Sequence, residues 1–180
     1  MPEPKLRGGP TQDEIMAVSL FKLDLLNSDT VLEIGCGTGK VSVAMANLAK
    51  KVYAVDGRPE AISVATETAR RAGASNIEFS CMNAVDFLEK NQVFDCAFLG
   101  GTKNLAQILP LLEKKVKRTI VINAVMVSTL EHAVVILKDL GIFTEVVQVQ
   151  VSRSYDIADS IMFRPIDPVY IIVARGAACS

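Results

Sequence analysis

The sequence predicts an α/β fold with a mostly parallel sheet, and three observations carry that prediction. Short β-branched runs alternate with longer stretches of helical period along all 180 residues, the pattern of βαβ units. A glycine-rich turn, Gly35–Gly39, joins the first apolar run to the helical stretch after it, an arrangement that exposes backbone N–H groups to a ligand. Half of the residues are hydrophobic, enough for a core on both faces of a sheet. No repeat, low-complexity tract or Pro/Gly/Ser linker divides the chain, so residues 1–180 are expected to form one domain.

In chain order, Thr11–Leu26 has helical period, and TVLEIG from Thr30 is the first strand. A helix at Lys40–Ala49 leads to the strand KVYAVD from Lys51. A helix follows at Pro59–Arg71, with proline suited to its first turn and Gly73 to its end. IEFSC from Ile77 precedes a short helix at Val85–Lys90. DCAFLG from Asp95 precedes a helix at Asn104–Lys115. TIVINA from Thr119 precedes a helix at Ser128–Leu140, closed by Gly141. Two last strands, TEVVQVQV from Thr144 and VYIIVA from Val169, are separated by a long non-helical connection, Ser152–Pro168.

Composition narrows the function. No apolar run approaches the roughly 20 residues of a membrane span, and MPEPKLRGGP lacks the core of a signal peptide, so a cytoplasmic protein is expected. Nineteen basic residues against 20 acidic ones leave a net charge of −1, without the basic excess typical of nucleic-acid binders. Cys36, Cys81, Cys96 and Cys179 form no CxxC pair and His132 is the only histidine, so neither a zinc site nor a disulfide framework is expected.

The loop VLEIGCGTGK separates three ligand classes by spacing. A dinucleotide fingerprint needs glycine where Lys40 stands. A P-loop needs glycine at Ile34 and Ser or Thr at Val41. What remains is E-x-G-x-G-x-G, the pattern of S-adenosylmethionine enzymes, with Gly35, Cys36, Gly37, Thr38 and Gly39 expected around the cofactor. Asp56 ends the second strand 21 residues after Gly35, the spacing of a carboxylate that accepts from a ribose diol. Its alternative role is a helix cap. Asn83, after the third strand, suits the exocyclic amine of adenine, and it suits an ordinary cap equally well in type.

Beyond this core, the segments GGPTQDEIMAVSLFKL from Gly8, GCGTG with VYAVD, FLGGTKNL from Phe98 and SIMFRPIDPVYII from Ser160 resemble the cobalamin-pathway methyltransferases that act on carbon 15 of cobalt-precorrin-6B with decarboxylation of a ring acetate. The resemblance covers nearly the whole chain. It implies a Rossmann-like class I methyltransferase: a seven-stranded doubly wound sheet with the last strand antiparallel. It also implies S-adenosyl-L-methionine as cofactor, a tetrapyrrole substrate and a homotetramer. Carried over by motif, Thr11 would reach the cofactor, Gly35–Gly39 would wrap it, Asp56 would hold the ribose, and Ala84 would offer backbone to the adenine. Gly100 and Gly101, after the fourth strand, belong to the substrate side. The chain departs from the family where Asn83 replaces a common Asp and Thr102-Lys103-Asn104 replaces a glycine-rich run.

Methyl transfer from a sulfonium needs alignment and a dry site more than a strong catalytic group, so the lack of a His/Asp dyad fits, and no catalytic residue is assigned. His132 reads as a solvated helix residue, Cys36 as a small side chain beneath the cofactor, and Glu33 as an orienting group rather than a base. Precorrins carry several carboxylates, which requires cations at the site. Lys103, Arg153 and Arg164 are the candidates, with Ser152–Pro168 as a lid over the carboxyl edge of the sheet. The rival expectations are a methyltransferase for tRNA or another small molecule, a non-catalytic cofactor-binding subunit, and an NAD enzyme disfavoured by Lys40.

Overall fold

The computed structural model describes residues 9–90 and 93–176; Gly8 and Cys179 lie outside them. The element order is α1 (Asp13–Leu23), β1 (Thr30–Ile34), α2 (Lys40–Ala46), β2 (Lys51–Asp56), α3 (Pro59–Ala72), β3 (Ile77–Cys81), α4 (Ala84–Lys90), β4 (Phe94–Leu99), α5 (Leu105–Lys115), β5 (Val116–Ala124), α6 (Val127–Asp139), β6 (Phe143–Val149), β7 (Ser152–Ile157), β8 (Ser160–Pro165) and β9 (Val169–Arg175). Every helix and strand expected from the sequence is present, with ends shifted by a few residues. Pro59 occupies the first turn of α3, and Gly73 ends that helix in the left-handed region.

Seven strands form one sheet in the order β3-β2-β1-β4-β5-β9-β6. β1 to β5 pair in parallel, and β9 runs antiparallel to both β5 and β6. The sheet is doubly wound, with the last strand antiparallel. Alternate residues of each strand serve opposite faces. Leu32 and Ile34 of β1, with Ala97 and Leu99 of β4, pack under α4, α5 and α6. Val31, Cys96 and Phe98 point the other way, against α1 and α2, while Ala54 of β2 meets Ala65 of α3. Both faces are covered, so the central strands are apolar runs rather than alternating ones. Among the described residues, no helix is long and apolar enough to cross a membrane.

The winding fixes where a ligand can bind. From β1 the chain proceeds outward to β2 and β3, then returns to β4 on the other side of β1. The loops leaving β1 and β4 therefore part at the carboxyl edge and open a crevice between them.

The connection Ser152–Pro168 is free of helix, as expected, yet most of it is strand. β7 and β8 pair as a separate two-stranded ribbon with Ile157 opposite Ser160. The two turn residues, Ala158 and Asp159, have φ of 43° and 60°. Such turns are usually signalled by Asn-Gly or Asp-Gly, so this hairpin leaves no turn signature in the sequence.

Candidate active site at the sheet switch point

The carboxyl ends of β1 and β4 are locked together by backbone. Gly100 and Gly101 both donate their N–H groups to the Ile34 carbonyl, at 2.9 and 3.1 Å. This contact is why position 35 is glycine: its φ is +79°, and a Cβ there would sit 2.6 Å from the Gly101 nitrogen. Gly39 is constrained by packing instead. It stands in the left-handed conformation before α2, and a Cβ there would meet Ala65 of α3 at 2.8 Å. The loop between them is thus pressed against β4 on one side and α3 on the other.

Above the loop lies a cleft of about 1060 Å³, at the upper end of the ~300–1,000 Å³ range of small-molecule sites. Nine of the fourteen candidate residues line it: Thr11, Gly35, Cys36, Gly37, Thr38, Asp56, Gly100, Gly101 and Lys103. Gly39, Asn83, Ala84, Arg153 and Arg164 lie off its wall. Met82, next to Asn83, does line the cleft. Asn83 Oδ1 accepts from the Val85 N–H at 2.8 Å, so its side chain caps α4. Arg153 pairs with Glu14 of α1 at 2.7 Å, fastening the ribbon to the first helix. Arg164 stacks over the Tyr155 ring at 4.9 Å. Lys103 is exposed at the cleft rim.

Asp56 is the most strongly held group in the cleft. Its carboxylate accepts from the Gly37 N–H at 3.1 Å, which ties the end of β2 to the glycine loop. It also accepts from the backbone and side chain of Arg58. Burial opposes its ionisation, but the hydrogen bonds from Arg58 and Gly37 outweigh it and keep the carboxyl below its ordinary value. Glu33 sits on β1 with its side chain buried and accepts a hydrogen bond from Ser42 of α2. Burial raises its pKa to about 8, and the neighbouring Asp56 charge adds to the rise while Ser42 opposes it. Glu33 is therefore largely protonated at neutral pH. Burial, followed by the Glu33 and Asp56 charges, pushes the Cys36 thiol far above its ordinary value, which makes it a packing residue rather than a nucleophile.

Five further residues of the cleft stand out beyond the expected set. Arg58 follows Asp56 by two residues and covers its carboxylate; only the short spacing between acid and base hints at the pair. Lys40, which breaks the dinucleotide fingerprint, donates to the Thr11 carbonyl at 3.0 Å and pairs with Asp13 at 2.6 Å. It thereby lays the segment before α1 across the cleft. Ile166 and Asp167, between the ribbon and β9, and Val169, the first residue of β9, also line the cleft and belong to the segment SIMFRPIDPVYII. His132 is an exposed residue of α6, the solvated helix position its sequence context predicts.

The sheet order, the antiparallel last strand and the glycine loop at the switch point define a class I methyltransferase fold. The family model of the precorrin methyltransferase domain matches residues 7–175, and the chain belongs to that family. A Methanosarcina mazei protein named "Probable cobalt-precorrin-6B C(15)-methyltransferase (decarboxylating)" is 45% identical over 174 residues, covering 93% of this chain and 94% of the relative. Among solved structures, the precorrin-8w decarboxylase of Methanobacterium thermoautotrophicum superposes with a TM-score of 0.89 at 29% identity, over 92% of this chain and 91% of that one. The precorrin-6y C5,15-methyltransferase of Geobacter metallireducens gives the same TM-score and identity, over 95% and 93%.

Proposed function

We propose that this chain is a single methyltransferase domain that binds S-adenosyl-L-methionine in the cleft. In this reading it methylates carbon 15 of cobalt-precorrin-6B, or its metal-free counterpart, with loss of carbon dioxide from a ring acetate. The observation that carries the reading is the cleft itself, where a buried carboxylate, Asp56, and a glycine loop meet at the switch point. The donor set fits an adenosyl ligand: a carboxylate for a diol, small residues where a ligand must approach backbone, and an apolar wall at Met82. Bound there, the cofactor would supply an electrophilic methyl group.

The residues of the chain then have separable tasks. Thr11, Gly35, Cys36, Gly37 and Thr38 would hold the cofactor, with Gly39 fixing the loop on α3 and Asp56 holding the ribose. Asn83 and Ala84 would meet the adenine beside Met82; Asn83 Oδ1 has a second lone pair beyond its cap bond. Glu33, neutral and buried, adds no charge to the cleft floor. Gly100 and Gly101 leave room for the substrate, and Lys103 would receive one of its carboxylates at the rim. The electron pair left by decarboxylation passes into the conjugated macrocycle, so alignment and exclusion of water are the main demands on the protein. Arg153 and Arg164 remain part of the proposed clamp, with Arg153 having to exchange Glu14 for substrate.

The homotetramer implied by the resemblance is supported by the ribbon. An isolated two-stranded hairpin is marginal in water, and this one exposes Ile157, Ile161, Met162 and Phe163. We propose that other copies of the chain cover it. A cytoplasmic setting suits the unpaired Cys36, Cys81 and Cys96.

The test uses purified protein, methyl-labelled S-adenosylmethionine and the tetrapyrrole. Label in the macrocycle together with released carbon dioxide is expected, and neither product would end the proposal. Lys103→Ala and Arg153→Ala should lower turnover at low salt without changing affinity for S-adenosylhomocysteine; unchanged turnover in both removes the clamp. Light scattering should give a tetramer that Phe163→Asp dissociates.

A further inference from the structure

Asp56 accepts four hydrogen bonds, and three of them come from one residue. Oδ1 accepts from the Arg58 backbone N–H at 3.1 Å and from Arg58 Nε at 2.9 Å. Oδ2 accepts from Arg58 Nη2 at 2.9 Å and from the Gly37 N–H at 3.1 Å. A carboxylate offers about four lone-pair positions, so its capacity is filled. The Asp56 side chain is 5% exposed while that of Arg58 is 39% exposed, and both residues line the cleft. The guanidinium therefore covers the carboxylate from the solvent side, and Nη2 is also the atom nearest to the space over Gly37, 4.0 Å from where a Cβ would stand.

The two backbone donors and the two side-chain donors differ in what they do. Gly37 and the Arg58 N–H are backbone donors, fixed by the chain, that orient the carboxylate. The fork formed by Nε and Nη2 occupies the two remaining acceptor positions, and a diol bound through both hydroxyls would need two. We propose that the Arg58 guanidinium is an internal stand-in for the ribose, and that its displacement is a step in cofactor binding that sets the affinity. The proposal rests on the assignment of Asp56 as the ribose ligand. Displacement exchanges two charge-assisted N–H···O bonds for two O–H···O bonds. The released side chain returns to water it already partly contacts. Binding then proceeds only from the fraction of molecules whose fork is open, and the observed dissociation constant is raised by the reciprocal of that fraction. An ion pair whose cation is 39% exposed should lower affinity about fivefold.

This gives a sign that an ordinary ligand contact does not. Salt weakens the fork, so the parent protein should bind the cofactor more tightly as salt rises. Removing the guanidinium should tighten binding rather than weaken it.

The experiment is calorimetric titration with S-adenosylhomocysteine, which lacks the sulfonium charge. It is run at about 0.01 M and about 1 M sodium chloride, where the screening length is roughly 30 Å and 3 Å. Arg58→Gln should bind about fivefold more tightly than the parent at low salt, with its salt response flattened. Arg58→Lys, which keeps the charge and loses the planar fork, should fall between them. Asp56→Ala should weaken binding, and Asp56→Ala with Arg58→Gln should be as weak as Asp56→Ala alone, because the competitor has nothing left to occupy. Equal or weaker binding by Arg58→Gln, with Asp56→Ala still impaired, overturns the stand-in and leaves the ribose assignment intact. Unimpaired binding by Asp56→Ala overturns both.

Discussion

Replacing Glu33 with glutamine should change the pH dependence of stability in a direction fixed by its surroundings. The side chain is buried on β1, faces Ser42 of α2, and has Asp56 of β2 and Cys36 as titratable neighbours. Burial raises its pKa from an ordinary 4.5 to about 8 in the folded chain. Between those values the folded protein holds a proton that the unfolded chain has lost, so unfolding releases it. Stability must then fall as pH rises through this window, by about 1.4 kcal/mol per pH unit from this group alone. Glutamine keeps a hydrogen-bonding partner for Ser42 and cannot titrate. The difference in unfolding free energy between the parent and Glu33→Gln cancels the other titrating groups, and it should run downhill by about that slope between roughly pH 5 and 8. In thermal melts of a chain of this size, the gap should change by about 3–5 °C per pH unit. Parallel curves across the window would mean that Glu33 is ionised throughout, and the account of a neutral cleft floor would fail.

Three other substitutions test contacts that hold the fold and the site. Gly35→Ala places a Cβ 2.6 Å from the Gly101 nitrogen in a left-handed conformation, so it should cost about 2 kcal/mol or more in urea unfolding and impair S-adenosylhomocysteine binding; a stable, tight-binding variant would contradict the backbone contact. Arg118→Met leaves the buried Asp29 carboxylate without the two-pronged pair it makes at 2.8 and 2.9 Å, and should cost about 3 kcal/mol, partly recovered by adding Asp29→Asn; no recovery would place the loss elsewhere. Lys40→Ala releases Thr11 and Asp13 and should weaken S-adenosylhomocysteine binding by about fivefold, with melting little changed; unaltered binding would remove the segment before α1 from the cofactor site.

The parts of this molecule that could be read from its sequence are those whose constraints act locally. Period, the glycine spacing and an acid at a strand end depend on neighbours within one βα unit, and they located β1 to β5, the loop and Asp56. The order of the last strands rested on resemblance, because nothing local distinguishes β9 inserted between β5 and β6 from β9 at an edge. Gly39 shows a different limit: it belongs to the motif, yet what requires glycine there is Ala65, 26 positions away on α3. Asn83 could be placed in position but not in role, since the cap it forms and the adenine contact expected of it use the same oxygen.

The ribbon and Arg58 were hidden for opposite reasons. β7 and β8 bury no alternating face against the sheet, and their turn uses Ala158 and Asp159 where Gly would be the signal, so neither burial nor turn chemistry announces them. The apolar residues the ribbon exposes, Ile157, Ile161, Met162 and Phe163, are the ones that the proposed assembly of copies would cover. Arg58 is hidden because its sequence context is so ordinary: a cation just ahead of a helix that begins with proline. Its consequence comes from the exact filling of one carboxylate. In the proposed reading, a residue that receives a ribose must be kept ionised in a buried place, and a carboxylate kept that way attracts whatever cation lies within reach. On the proposed account the strength of the site and the presence of its competitor have the same origin, and affinity for the cofactor would belong to the Asp56–Arg58 pair rather than to Asp56 alone.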